Sequence, residues 1–64
     1  MAGEKKIAIV TGAASGIGRA MTLGLLDAGV DVAAVDRNET ALAALAATVH
    51  DKVGTIQTIP ADLA

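Results

Sequence analysis

Apolar residues fall into three short runs along the chain. Two of the runs are rich in β-branched residues and predict strands buried on both faces. The third run is more polar and predicts an edge strand, which Pro60 ends because proline cannot donate to a sheet. The three predicted strands cover residues 6–11, 30–35 and 54–59.

The segments between these runs have helical periodicity. Apolar residues three and four apart, together with an N-cap at Asn38, predict an amphipathic helix over residues 38–50. A first helix is predicted over residues 17–28, with Gly29 as its left-handed C-terminal cap. Its predicted core-facing stripe consists of Ile17, Ala20, Met21, Gly24, Leu25 and Ala28. Two leucines, Leu23 and Leu26, lie off that stripe and predict a contact on a second side of the helix.

The element order β-α-β-α-β defines an α/β fold. Two right-handed crossovers in the same direction place both helices on one face of a parallel sheet of order 3-2-1. This arrangement is the Rossmann-type half of a doubly wound sheet, and residues 1–64 are predicted to form the N-terminal half of one such domain.

Such a half leaves apolar surface uncovered. The first strand has an unpaired edge, and the face opposite the helices is bare, although parallel sheets occur almost only with both faces covered. The pattern therefore predicts further chain or a partner that supplies the second half.

Composition excludes several classes of protein. The chain has no cysteine and one histidine, which excludes a disulfide framework and a Cys/His zinc module, and we predict no metal site. Its net charge of −2 gives no electrostatic basis for binding nucleic acid or an anionic membrane. The apolar runs are too short for a secretory signal or a membrane span, and the predicted location is the cytoplasm.

The strongest chemical signal is the segment Thr11 to Gly18, TGAASGIG, between the first strand and the first helix. Gly12 allows a tight turn out of the strand. Gly16 and Gly18 let the backbone approach a pyrophosphate and let the helix pack close to the strand. The N–H groups at the start of a helix, together with its dipole, stabilise phosphates. A P-loop is excluded because no Lys-Ser or Lys-Thr pair follows the glycines.

This segment resembles the TGxxxGxG signature of the short-chain dehydrogenase/reductase family. The residues after Gly18 (GRA), the VDR at the end of the second strand and the final ADLA also have counterparts in that family. The resemblance implies a nicotinamide dinucleotide cofactor, with the pyrophosphate and adjoining ribose contacted by Gly12, Ser15, Gly16, Ile17 and Gly18.

The resemblance also implies how the adenosine end is bound. Asp36 would accept both ribose hydroxyls and repel a 2′-phosphate, which favours NAD over NADP. Arg37 complicates this, because its guanidinium could accept that phosphate or stack on adenine. Asp62 would accept from the adenine amino group, and the Leu63 N–H would donate to the ring.

The family's catalytic residues have no counterpart here. The resemblance implies hydride transfer between an alcohol or carbonyl substrate and the cofactor, with a Tyr, a Lys, a Ser and an Asn in the second half of the fold. The chain has no tyrosine, and its single serine lies in the glycine-rich segment, so we predict no catalytic residue in it. The prediction is the cofactor-binding part of an NAD-dependent oxidoreductase that is a homo-oligomer at full length. The alternative is a stand-alone, non-catalytic module that binds nucleotides or another protein.

Overall fold

A computed structural model describes residues 6–62, which form a three-stranded parallel sheet with two helices. The second strand lies between the first and the third, so the predicted sheet order is confirmed. In chain order the elements are β1 (Ile7–Thr11), α1 (Gly16–Asp27), β2 (Asp31–Asp36), α2 (Glu39–Thr48) and β3 (Ile56–Pro60).

Both helices pack on the same face of the sheet. Helix α1 contributes Leu26 to the core, and α2 contributes Leu42 and Leu45; all three are almost fully buried. They meet Val32 and Ala34, which alternate along β2 and therefore point to one face. The central strand thus supplies the surface on which both helices rest, as two successive right-handed crossovers require.

Local signals at the helix ends act as the sequence predicts. The Asn38 side chain caps α2 by accepting the Ala41 N–H at 2.9 Å. Gly29 has a φ of 85° and follows the end of α1. The N–H of Gly29 donates to the Leu26 carbonyl, and that of Val30 donates to the Leu25 carbonyl, which is the bond pattern of a Schellman motif.

The predicted core-facing stripe of α1 is wrong at five of its six positions, which are exposed; the sixth, Leu25, is half-buried and packs against the core. Ile17 is 80% exposed and Met21 53% exposed, whereas Thr22 and Leu26, both off that stripe, are fully buried. Thr22 can be buried because its hydroxyl donates to the Gly18 carbonyl at 2.8 Å. Helix α1 therefore packs on the sheet through the side that carries Thr22 and Leu26. In the sequence, the two leucines off the predicted stripe indicated a contact on this side.

The loop before β3 is tied to the end of α1. The Gly54 N–H donates to the Leu26 carbonyl at 2.9 Å, and a Cβ at Gly54 would collide with the Val30 carbonyl oxygen. The Lys52 ammonium lies 2.9 Å from the Asp27 carboxylate. These contacts fix the end of the sheet opposite the glycine-rich segment.

No helix or strand of the described residues covers the face of the sheet away from the helices. Ile7 and Ile9 are 70% and 74% exposed, and β1 is an edge strand. The bare apolar face and the unpaired edge that the pattern predicted are therefore present. Within residues 6–62, neither helix has the length and apolar character needed to cross a membrane.

Candidate functional site

The carboxyl ends of the three strands meet at one edge of the sheet. In open parallel sheets this edge is where ligands bind. A cavity of about 290 Å³ lies there, and its lining includes five residues that the sequence analysis selected. These are Gly12, Ser15, Asp36, Arg37 and Asp62.

The three glycines of the loop serve two different physical needs. Gly12 and Gly16 have φ values of 64° and 55°, a left-handed conformation that other residues adopt only with strain. No neighbouring atom would meet a Cβ at either position. At Gly18 the need is space, because a Cβ would collide with the Gly12 carbonyl oxygen. No protein atom requires Gly16 to lack a side chain, and the close approach of its backbone to a pyrophosphate stays a prediction.

In the part of the chain that the structure describes, no side chain caps the N-terminus of α1. Ser15 is the N-cap residue, yet its side chain makes no capping hydrogen bond. The first turn of a helix leaves backbone N–H groups without acceptors in the helix. The first turn of α1 also carries no acidic residue, whereas that of α2 carries Glu39. The positive end of the α1 dipole is therefore open to an anion.

Asp36 ends β2 between the glycine-rich loop and α2. Its Oδ2 accepts the Ala14 N–H at 3.0 Å, and its Oδ1 accepts the Asn38 N–H at 3.0 Å. The hydrogen bond from Asn38, then that from Ala14, with a smaller contribution from Arg37, holds the pKa of Asp36 below its ordinary value of 3.8. The side chain is therefore a carboxylate at neutral pH. A carboxylate has about four lone-pair sites, so Asp36 keeps capacity to accept from a ligand beyond its bonds from Ala14 and Asn38.

The other predicted site residues lie at different distances from the cavity. Arg37 is exposed at its rim, and Asp62 lines it from the chain after β3. Gly16 and Ile17 are exposed on the first turn of α1 and do not line the cavity itself. The prediction for Leu63 falls outside the residues that the structure describes.

Sequence reasoning missed the two backbone groups that hold Asp36. Ala14 is 22 positions away from Asp36 in the chain, and no side-chain signal at an alanine reveals a backbone donor. Asn38 carried a signal for its role as N-cap of α2, but not for the bond from its own N–H to Asp36.

Metal ligands do not gather at this site. Among residues 6–62, no group of three or more His, Cys, Asp or Glu side chains is placed to hold a metal ion. The site instead offers backbone N–H groups, which can donate to phosphates, and single carboxylates, which can accept from hydroxyls.

Comparison with known proteins identifies the family. The family model described as short chain dehydrogenase matches residues 6–64. Over 47 residues, or 73% of this chain, the sequence is 51% identical to a very-long-chain 3-oxoacyl-CoA reductase from Laccaria bicolor. The chain belongs to the short-chain dehydrogenase/reductase family, and the resemblance of its glycine-rich segment is confirmed.

Solved structures share the fold. A short-chain dehydrogenase from Sphingobium yanoikuyae in complex with NADPH matches 91% of this chain, with a TM-score of 0.84 and 32% identity. Carveol dehydrogenase from Mycobacterium avium in complex with NAD matches 89% of it, with a TM-score of 0.79 and 30% identity. The chain spans 14% of the reductase and 23% and 25% of these two structures. The similar proteins thus bind nicotinamide dinucleotides of both kinds.

Proposed function

We propose that this chain is the cofactor-binding N-terminal part of an NAD-dependent oxidoreductase that interconverts alcohols and carbonyl compounds. The observation that carries the proposal is the cavity at the carboxyl ends of the strands. It joins the glycine-rich loop to an ionised carboxylate at the end of β2. A pyrophosphate needs donors and a ribose needs acceptors, and this cavity has both side by side.

When bound, the nicotinamide ring of the cofactor would accept or give the hydride. The residues of this chain bind and orient the cofactor. The N–H groups of the first turn of α1 would donate to the pyrophosphate, and the exposed Ser15 hydroxyl lies beside them. The remaining lone pairs of Asp36 would accept the adenosine ribose hydroxyls, and Asp62 would accept from the adenine amino group across the cavity.

The preference for NAD follows from charge. A 2′-phosphate placed beside the Asp36 carboxylate would meet a like charge, and two backbone N–H groups restrain that carboxylate from turning away. Arg37 acts against the preference for NAD, because it lines the same cavity and its guanidinium could accept the 2′-phosphate. We favour NAD because the side chain of Asp36 is fixed while that of Arg37 is exposed.

A larger parent protein is part of the proposal. The chain spans a quarter or less of the similar proteins described above. The exposure of Ile7 and Ile9 supports a part of a larger fold over a stand-alone module, because burial of such a face stabilises parallel sheets. The catalytic side chains and substrate pocket would lie in the remainder. We expect the full-length protein to be a cytoplasmic homo-oligomer.

The test is cofactor choice in the full-length protein. In Asp36→Ala, the ratio of kcat/KM with NAD to that with NADP should fall by at least about tenfold, equivalent to about 1.4 kcal/mol of lost discrimination. The matched control, Asp51→Ala, removes an exposed carboxylate that does not line the cavity and should leave the ratio unchanged. A ratio that Asp36→Ala does not move would remove Asp36 from this role.

A further inference from the structure

The Asp36 carboxylate bridges two loops that belong to different parts of the site. Ala14 lies in the loop before α1, and Asn38 lies in the turn before α2. One side chain therefore ties together the segments that start both helices, each through a backbone N–H at 3.0 Å. Hydrogen bonds to an ionised acceptor are about twice as strong as those between neutral groups.

The bond to Ala14 is also the last link between the loop and β2 before α1 begins. The preceding residue, Ala13, is fully buried and donates its N–H to the Val35 carbonyl at 3.1 Å. The following residue, Ser15, donates to Gly12 within the loop itself at 3.4 Å. Among the described residues, the Asp36 side chain thus supplies the final attachment of the loop to the sheet.

We propose that Asp36 is a positioning residue for the glycine-rich loop, in addition to its role toward the ribose. By holding Ala14, it fixes the direction in which the first-turn N–H groups of α1 point. The loop that would bind the pyrophosphate is therefore ordered by a side chain that does not touch the pyrophosphate. The part of this inference that concerns phosphate rests on the proposed function; the part that concerns the order of the loop does not.

Two roles for Asp36 predict opposite changes in anion binding. If Asp36 only accepts the ribose hydroxyls and repels phosphate, Asp36→Asn removes a negative charge near the loop and should strengthen the binding of an anion. If Asp36 also positions the loop, the same change lowers the population of the binding-competent loop and weakens anion binding. Inorganic pyrophosphate is the suitable probe, because it has no ribose and no adenine.

The experiment uses the full-length protein, titrated with pyrophosphate by calorimetry. We expect Asp36→Asn to bind pyrophosphate at least about fivefold more weakly than the unsubstituted protein, because fewer molecules hold the loop in its binding conformation. The Ala14 amide should exchange with solvent at least about tenfold faster in the ligand-free variant, because its acceptor is weakened. The control Asp51→Asn makes the same charge change at an exposed residue that does not line the cavity, and should alter neither quantity.

Pyrophosphate binding that is equal or tighter in Asp36→Asn, with unchanged exchange at Ala14, would overturn the inference. If the unsubstituted protein binds neither NAD nor pyrophosphate, the proposed function fails, and exchange at Ala14 still decides the positioning role. Should Asp36→Asn not fold, the scalar coupling across the hydrogen bond from the Ala14 nitrogen to the Asp36 carboxyl carbon is measured in the unsubstituted protein. Its detection supports the inference, and its absence beside observed couplings within the sheet contradicts it.

Discussion

At the scale of single residues, two glycines of α1 differ in the space that surrounds them. Gly18 lies where α1 comes closest to the glycine-rich loop, against the Gly12 carbonyl oxygen. Gly24 lies six residues further on and is exposed, with no atom near the position of a Cβ. Only the first of these positions needs the absence of a side chain.

We therefore expect opposite effects of alanine at the two positions. Gly18→Ala should destabilise the fold by about 1–3 kcal/mol, as overpacking typically does. Gly24→Ala should stabilise it by about 0.5–1 kcal/mol, because alanine loses less backbone entropy in a helix. Urea denaturation followed by circular dichroism gives both values. Equal losses in the free energy of unfolding for the two variants would contradict an additional cost of a side chain at Gly18.

At the scale of elements, α1 is apolar on two sides. One side, with Thr22 and Leu26, is buried against the sheet. The other side, with Ile17 and Met21, is exposed in this chain. Periodicity finds an apolar stripe but cannot say which of two stripes meets the sheet. The structure shows which one does: Thr22 and Leu26 are buried, and Gly18 lies against the Gly12 carbonyl oxygen.

The two sides of α1 should differ in their contribution to the stability of the 64-residue chain. Leu26→Ala should cost about 2–5 kcal/mol, as for other fully buried leucines. Met21→Ala should change the free energy of unfolding by about 0.5 kcal/mol or less, because surface substitutions usually do. Chemical denaturation of the two variants checks this. A cost at Met21 equal to that at Leu26 would mean that the outer side is covered, for example by a second copy of the chain.

At the scale of the whole molecule, the described residues cover the sheet on one face only. Ile7 and Ile9 project from β1 on the open face, beside the unpaired edge of that strand. Exposed apolar surface of this kind marks a site of association. In the proposed parent protein, the remainder of the chain would cover it.

Ile9→Lys tests that interpretation in two contexts. In the 64-residue chain the lysine would reach water, and the free energy of unfolding should change by about 0.5 kcal/mol or less. In the full-length protein the same lysine would be buried without a partner and should cost more than about 2 kcal/mol. Denaturation curves of both chains give the comparison. Equal, small effects would favour the stand-alone module.

The residue pattern was enough to predict the element order, the parallel sheet of order 3-2-1, the cap at Asn38, the turn at Gly29 and the family. These features depend on local signals, namely periodicity, capping residues and the spacing of glycines, which residues close in the chain carry. Three features are visible only in the folded chain: which side of α1 is buried, the close approach of Gly18 to the Gly12 carbonyl oxygen, and the bond from Ala14 to Asp36. Each of these features depends on a contact between segments that are distant in the chain or on how a helix packs. The identity of a single residue does not reveal such a contact.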